Sequence, residues 1–155
     1  VGDGVAPTGF ARVMHSLLRL LAERWEFHHL AINWNGSPPH DFPWRIYPAA
    51  GDGDIYGASK LRPLVEEVEP DLIFLLNDLW ILRSYLDALR ELPRRPPTVA
   101  YTPVDAGPLE PGMVEGVASL DRLVTYTEFG RQEIARSAAS QRARSRNCVN
   151  WARSA

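Results

Sequence analysis

The first residues of the chain include the residue types that bind an anion. The segment Gly2-Asp3-Gly4-Val5-Ala6-Pro7-Thr8-Gly9 precedes an amphipathic helix, and Arg12 lies one turn into that helix. A turn that leads from a strand into a helix leaves backbone N–H groups unpaired, and the helix dipole favours an anion there. We therefore predict that Thr8, Gly9 and Arg12 contact a phosphate. The alternative is a plain connection in which glycine is required only for steric reasons.

Polar and aromatic residues also follow two later apolar runs. Asn77, Asp78 and Trp80 come directly after the first of these runs, and a carboxylate beside an aromatic ring suits a hydroxyl-rich ligand. The alternative places Asp78 at a helix N-cap and Trp80 in the core. Asp105 follows the second run. We predict that Asp105 binds a ligand hydroxyl and is the candidate catalytic residue; alternatively, it caps the turn before Pro108.

These residues are positioned by strands and helices that alternate along the chain. Strands are expected at 27–34, 44–48, 70–78, 98–102 and 122–126, and helices at 8–24, 61–68, 79–92, 113–119 and 128–138. The first strand is expected to be nearly absent, with only Val1 left of it, and Pro63 is expected to delay the start of the second helix. The alternation predicts an α/β fold: a Rossmann-like, doubly wound, mainly parallel sheet with helices on both faces. Ligands of such sheets bind beyond the carboxyl ends of the strands.

Composition narrows the classes of function. The chain has 155 residues, 45% of them hydrophobic, and a net charge of −2, which gives no support to nucleic-acid binding. Cys148 is the only cysteine, so a cysteine-based metal cluster is excluded. Pro7 occupies the third glycine position of a dinucleotide fingerprint, so no NAD site is expected. No transmembrane segment or signal peptide is recognised; we expect a cytoplasmic protein without a metal or another cofactor.

The charge pattern predicts a domain boundary near residue 138. Residues 138–155 contain four arginines and no acidic residue, and they lack apolar periodicity. We therefore assign residues 1–138 to one domain and residues 139–155 to an arginine-rich tail, disordered or foreign to the fold. The alternative for the tail is an arm that binds nucleic acid or a membrane.

Four segments occur in an order known from one enzyme family. They are Thr8-Gly9-Phe10-Ala11-Arg12-Val13, then Pro70-Asp71-Leu72-Ile73 before a polar strand end, Tyr101-Thr102-Pro103-Val104-Asp105 and Leu120-Asp121-Arg122-Leu123-Val124-Thr125-Tyr126-Thr127-Glu128-Phe129-Gly130-Arg131-Gln132-Glu133-Ile134. The chain from about residue 2 to residue 138 resembles the N-terminal domain of GT-B glycosyltransferases. The resemblance is to the large retaining family that includes sucrose- and mannosyl-transferring enzymes.

The resemblance implies one half of a GT-B fold and a role for the first turn. In the full-length enzyme a sugar passes from a nucleotide-sugar donor to a hydroxyl acceptor, either a carbohydrate or a lipid-linked molecule. The N-terminal domain mainly binds the acceptor, and the turn ending at Gly9 faces the donor diphosphate across a cleft. Further candidate substrate contacts at the same edge are Asn77, Asp78, Trp80, Thr127 and Glu128.

Two departures from the family pattern affect the expected activity. Pro103-Val104-Asp105 occupies a strand end where many relatives have histidine, and no second Rossmann-like domain follows Arg136. We therefore expect that the donor-binding half is missing and that this chain alone is inactive. The alternative function is a stand-alone α/β module that binds a small ligand or a partner without catalysis. A response-regulator-like or flavodoxin-like domain lacks support, because the required acidic cluster or flavin loop is not recognised.

One further motif suggests metal binding. Asp52-Gly53-Asp54 is an Asp-x-Asp string, which is the metal signature of the other glycosyltransferase fold class. Its position between Gly51 and Tyr56 favours an ordinary loop instead. His15, His28 and His29 lack further ligands at metal spacing, and we predict structural roles for them.

Overall fold

The computed structural model describes residues 1–144, within which six strands and five helices alternate. The elements are β1 (Gly2–Asp3), α1 (Gly9–Leu21), β2 (His28–Ile32), β3 (Arg45–Pro48), α2 (Ala58–Val68), β4 (Ile73–Leu76), α3 (Leu79–Leu89), β5 (Thr98–Thr102), α4 (Pro111–Glu115), β6 (Arg122–Thr125) and α5 (Glu128–Arg144). The α/β class expected from the sequence is confirmed.

All the strands run parallel, in two groups of three that are joined at the centre. β1 pairs with β2 and β2 with β3, while β4 pairs with β5 and β5 with β6. The amino group of Val1 donates to the Phe74 carbonyl at 2.7 Å, and the Leu76 amide donates to the Val1 carbonyl at 2.9 Å. These two bonds have the spacing of a parallel ladder, so the strand order is 3-2-1-4-5-6. This is the order of a Rossmann-like sheet.

The first strand is more complete than the sequence predicts. Gly2 and Asp3, which we assigned to the turn, pair with Ala31 and Ile32 of β2. A two-residue strand forms here because it pairs with β2 on one edge, while Val1 directly before it bonds to β4 on the other. The prediction that only Val1 belongs to this strand is therefore wrong.

Apolar side chains pack on both faces of the sheet. On one face, α2 and α3 contribute Leu61, Val65, Leu82 and Leu86 to a core that includes Leu75. On the other face, Met14 and Leu18 of α1 pack against Trp44 and Leu76. β4 lies under both layers, which explains why its sequence is a continuous apolar run without alternation.

Two helix boundaries differ from the expected ones. α2 begins at Ala58, so Pro63 lies inside the helix and not in its first turn. Pro63 and Ser59 are both exposed, so water can satisfy the Ser59 carbonyl that loses its helical donor. α5 continues to Arg144, beyond the expected end at Ala138, and the rest of the predicted tail lies outside the described residues. In the described part of the chain, no helix is long and apolar enough to cross a membrane.

Candidate functional site

The predicted site residues lie where the parallel strands end. β1 ends at Asp3, β4 at Leu76, β5 at Thr102 and β6 at Thr125. Since these strands are parallel members of one sheet, the segments that follow them meet at its carboxyl edge. We call this region the carboxyl edge.

The last residue of β1 has a buried carboxylate whose two oxygens are both hydrogen-bonded. Asp3 is 3% exposed; the Thr8 hydroxyl donates to Oδ2, and Asn33 Nδ2 donates to Oδ1 at 2.8 Å. Thr8 Oγ1 in turn accepts from the Ala11 amide at 3.0 Å, which caps α1. Asn33 has a φ of 60°, a left-handed conformation that asparagine tolerates better than most residues. Asp3 therefore ties together β1, α1 and the end of β2.

The glycines of this turn have different surroundings. A Cβ on Gly4 would lie 2.4 Å from the Cβ of Ala31, and one on Gly2 would lie 2.6 Å from Met14 Cε. A Cβ on Gly9 would have no atom within 4 Å. Gly2 and Gly4 are thus required by packing. Gly9 is not, and the steric alternative proposed for it from the sequence has no support in its surroundings.

The N-terminus of α1 keeps donors available next to Gly9. Within residues 1–144, the amides of Gly9 and Phe10 have no hydrogen-bond acceptor, and the exposed Arg12 side chain has no acidic partner. Asp3 lies directly behind this helix end through its bond to Thr8. Its charge therefore offsets part of the attraction that the helix dipole exerts on an anion.

Asn77, at the start of the β4–α3 turn, has a structural role. It is 3% exposed; its Nδ2 donates to the Tyr85 hydroxyl at 3.2 Å, and its Oδ1 accepts from the Asp78 amide at 2.9 Å. The Tyr85 hydroxyl donates to the Tyr56 carbonyl at 2.9 Å. This buried series of hydrogen bonds fixes α3 against the loop that precedes α2. Burial raises the pKa of Tyr85.

Asp78 differs from Asn77 because its side chain is not used by the fold. It occupies the N-cap position of α3, but its carboxylate makes no capping bond, and no other side-chain partner is found within the described residues. Partial burial and the neighbouring carboxylates of Asp105 and Asp3 raise the pKa of Asp78. The carboxylate is thus a free acceptor in an acidic environment.

Trp80 lies in the first turn of α3, two residues after Asp78, and is not part of the core. Its side chain is 57% exposed, and its ring meets Tyr56 edge to face, with the ring centroids 5.7 Å apart. The core alternative considered for Trp80 from the sequence is therefore wrong. An exposed indole held on one side by another ring offers its remaining surface to a ligand.

Asp105 lies in an exposed loop that is fixed on both sides. Val104, directly before it, is buried. Gly107, two residues later, packs so closely on Glu133 that a Cβ would lie 2.6 Å from the Glu133 carboxylate. Glu133 is itself buried and paired with Arg136. The loop thus places Asp105 at the carboxyl edge, close enough for its charge to raise the pKa of Asp78.

Thr127 and Glu128 serve mainly to start α5. Thr127 Oγ1 accepts from the Gly130 amide at 3.1 Å, which caps the helix. The carboxylate of the exposed Glu128 accepts from Arg131 at 2.6 and 2.8 Å and from Gln132 at 3.1 Å. The bonds from Arg131 and Gln132 lower the pKa of Glu128 to about 2.

Two tyrosines that the sequence analysis did not select lie at the same edge. Tyr101 and Tyr126 have ring centroids 4.3 Å apart, and Tyr126 is 37% exposed. Burial, the neighbouring Tyr101 and the charge of Asp78 raise the pKa of Tyr126 to about 12. Asp3 was also missed. Its place between Gly2 and Gly4, just before the predicted first helix, was the available signal.

The Asp-x-Asp string forms a loop, as its neighbours indicate. Asp54 Oδ1 accepts from the amides of Tyr56 and Gly57, and Oδ2 accepts from the amide and hydroxyl of Ser59. Burial alone would raise the pKa of Asp54, but these hydrogen bonds outweigh it and lower the pKa. A metal would have to displace four donors. Across residues 1–144, no cluster of three or more His, Cys, Asp or Glu side chains is arranged to hold a metal ion.

The polar and aromatic groups at the carboxyl edge therefore form two sets: those that are hydrogen-bonded within the fold and those that are accessible to a ligand. Asp3, Thr8, Asn77 and Thr127 are bound to other parts of the fold. The accessible groups are the Gly9 amide, Arg12, Asp78, Trp80 and Asp105.

Comparison with models of known protein families finds none that matches this chain, and comparison with curated proteins also finds no match.

Proposed function

We propose that this chain is the acceptor-side N-terminal domain of a retaining GT-B glycosyltransferase, which moves a sugar from a nucleotide-sugar donor to a hydroxyl acceptor. One observation supports this proposal above the others. Asp78, a carboxylate with a raised pKa and no side-chain donor in the described residues, lies at the carboxyl edge, and the exposed Trp80 follows it in the first turn of α3. A hydrogen-bond acceptor next to an aromatic face is the chemistry that binds a sugar.

The charge of the edge favours a hydroxyl-rich ligand over an anion. The carboxylates of Asp3 and Asp105 are close enough to raise the pKa of Asp78. A phosphate beside Asp78 and Asp105 would be repelled, whereas a hydroxyl can donate a hydrogen bond to either of these accessible carboxylates. We therefore assign Asp78, Trp80 and Asp105 to the acceptor. Gly9 and Arg12, at the start of α1, are assigned to the donor diphosphate.

The proposed contribution to the reaction is positioning. Transfer forms a bond between the acceptor oxygen and the anomeric carbon of the sugar, and it breaks the bond from that carbon to the diphosphate. The acceptor hydroxyl gives its proton to the departing diphosphate oxygen, which has received the electron pair of the broken bond. Asp105, exposed on an anchored loop, is the candidate group to accept the hydrogen bond of that hydroxyl and orient it.

We expect no sugar transfer by this chain alone, because donor binding in this architecture needs the second domain. A turnover assay with the purified chain, a panel of nucleotide-sugars and glycoside acceptors checks this expectation. Robust transfer would contradict the inactivity of the isolated chain.

Binding of the acceptor tests the proposal directly. The chain with ¹⁵N-labelled tryptophan is titrated with methyl glucoside, methyl mannoside and myo-inositol, and the indole N–H signals are followed by NMR. Trp80→Phe identifies the Trp80 signal, and Trp25→Phe identifies a second exposed tryptophan as a control. We expect at least one polyol to shift the Trp80 signal and leave the Trp25 signal in place. If no polyol shifts Trp80, or if inorganic pyrophosphate alone does so, the acceptor assignment is wrong.

The alternative function is a stand-alone α/β module that binds a small ligand at the same edge without catalysis. The observation that favours it is that the accessible groups all belong to this chain, so binding requires no second domain. The coding DNA on both sides of this segment separates the two functions. A neighbouring frame that encodes a second Rossmann-like half supports the transferase, and flanking DNA with no such frame supports the module.

A further inference from the structure

The loop between β2 and β3 contains an exposed Asn-Gly pair. Asn35 is exposed, and Gly36 follows it with a φ of 98°, a backbone conformation that residues with a side chain rarely adopt. Within residues 1–144, neither the Asn35 Nδ2 group nor the Gly36 amide has a hydrogen-bond acceptor. The loop conformation thus favours glycine directly after this asparagine, and both nitrogen atoms of the pair are accessible for reaction.

The side-chain carbonyl of Asn35, in contrast, is hydrogen-bonded. Its Oδ1 accepts from the Ser37 amide at 3.0 Å, which forms an Asx-turn. The ring that this bond closes contains both the Asn35 Cγ and the Gly36 nitrogen. The donor lies at the distance at which backbone amides stabilise the negative oxygen of a tetrahedral intermediate in acyl transfer. A bond between Cγ and the Gly36 nitrogen would place such a negative charge on Oδ1.

The residues on either side of this turn are fixed. Trp34 is buried, and its Nε1 donates to the Pro38 carbonyl at 3.0 Å. The Trp34 carbonyl accepts from the Ala50 amide at 2.9 Å. These bonds close the loop around Asn35, so the Ser37 donor is already in position before any reaction begins.

We propose that Asn35 is a site of spontaneous deamidation through a succinimide. The Gly36 nitrogen, whose proton passes to hydroxide, forms a bond to Asn35 Cγ, and the bond from Cγ to Nδ2 breaks. The electron pair of the broken bond stays on Nδ2, which takes a proton from water and leaves as ammonia. Water then adds to either carbonyl of the succinimide and breaks the bond from that carbonyl to the Gly36 nitrogen, which takes a proton from the water. The products are aspartate and isoaspartate.

Both products change the carboxyl side of the sheet. Ile32 is the last residue of β2, which runs parallel to β1, so the loop with Asn35 lies beyond the carboxyl end of that strand. Either product adds a negative charge there. Isoaspartate also brings the side-chain methylene into the main chain between Trp34 and Pro38, which lengthens the segment that their hydrogen bond closes.

Two other asparagines provide controls within the same molecule. Asn33 Nδ2 donates to Asp3 at 2.8 Å, and the buried Trp34 follows Asn33. Asn77 is 3% exposed, and its Nδ2 donates to the Tyr85 hydroxyl at 3.2 Å. In both cases the nitrogen that would leave is bound to another group, and the next residue has a side chain that hinders ring closure.

Mass spectrometry of the aged chain tests the proposal. The chain is kept at neutral pH and physiological temperature, and samples are digested with trypsin, with a sample taken at time zero to correct for conversion during digestion. The peptides 25–45 and 61–83 together contain the three asparagines, and fragmentation locates each replacement of NH2 by OH. We expect Asn35 to convert about tenfold or more faster than Asn33 and Asn77.

A synthetic peptide with the sequence of residues 32–41 isolates the effect of the fold. We expect Asn35 in the folded chain to convert at least as fast as in this peptide, because the Ser37 donor is in position only in the folded chain. Conversion at Asn35 no faster than at Asn33, or slower in the folded chain than in the peptide, would overturn the proposal.

Discussion

Two strand ends at the carboxyl edge each carry an aspartate, and the side chains of these two aspartates have different surroundings. At the end of β1, Asp3 is buried; one of its oxygens accepts from Thr8 and the other from Asn33. In the β4–α3 turn, Asp78 is half-buried, lies near Asp3 and Asp105, and has no side-chain donor in the part of the chain that the structure describes. A carboxylate such as Asp3, whose oxygens are both hydrogen-bonded, stabilises the fold. A carboxylate such as Asp78, unpaired and close to other negative charges, lowers the stability of the fold, and hydrogen bonds from a ligand would offset that loss.

Among variants that test this difference, we expect Asp3→Ala to have the largest effect on the free energy of unfolding. Asp3→Ala leaves the Thr8 hydroxyl and the Asn33 amide without a buried partner, and hydrogen bonds to a charged group contribute about 1.5–3 kcal/mol each. We expect a loss of about 3 kcal/mol in the free energy of unfolding, measured by urea denaturation. The matched variant Asp78→Ala should change it by less than about 1 kcal/mol. Equal losses for the two variants would show that the turns do not differ in this way.

A smaller effect separates the glycines of the first turn. Gly4→Ala forces a Cβ into contact with Ala31 and should cost about 2 kcal/mol, in the range of overpacked cores. Gly9→Ala meets no atom within 4 Å and replaces glycine in a helix, so it should be neutral or stabilising by up to about 1 kcal/mol. Thermal and urea unfolding measure both changes. Destabilisation by Gly9→Ala as large as that by Gly4→Ala would mean that Gly9 is structural after all.

The contact between β1 and β2 should also make the stability of the fold sensitive to acid. His29 bonds to the Gly2 carbonyl at 3.1 Å, and burial lowers its pKa from 6.5 to about 3. The unfolded chain therefore binds a proton between pH 6.5 and 3 that the folded chain does not. This part of the stability is complete above pH 6.5 and is lost as the pH falls toward 3. We expect a loss of about 2 kcal/mol between pH 7 and pH 5 from this group.

A pair of histidine variants isolates that contribution. His29→Gln keeps a donor for the Gly2 carbonyl and should reduce the dependence of unfolding free energy on pH between 7 and 5. His40→Gln changes an exposed histidine and should retain the full dependence. The same pH slope in the wild type and in His29→Gln would exclude His29 as its source.

Much of the fold follows from the sequence because it depends on local patterns. The apolar run in β4 and the helical spacing of Met14 and Leu18 in α1 predict buried elements, and both lie in the core. The length of β1 was not predictable from its two residues, since Gly2 and Asp3 have low strand propensity. Their strand conformation results from pairing with β2 and from the bonds of the preceding Val1 to β4, and both partner strands lie far away in the sequence.

The site was less predictable, because residue type alone does not show whether a polar side chain is already bound. Thr8, Asn77 and Thr127 have the same kinds of polar groups as the accessible site residues, but each is used by a cap or a buried network. The sequence also does not show that Trp80 is 57% exposed, because the spacing of an indole on a helix fits a core position equally well. Only the three-dimensional arrangement separates Asp3 from Asp78.

The measurement that tests the central claim most directly is polyol binding by Asp78→Asn, together with its stability. The variant keeps the size of the side chain but removes the charge that Asp105 and Asp3 oppose. We expect an unfolding free energy at pH 7 equal to or slightly above that of the wild type, by less than about 1 kcal/mol. The polyol affinity reported by the Trp80 indole signal should fall about tenfold or more, as expected for the loss of a hydrogen bond to a charged group. Unchanged affinity, or a loss of stability comparable with that of Asp3→Ala, would contradict the claim that the fold leaves Asp78 available for a ligand.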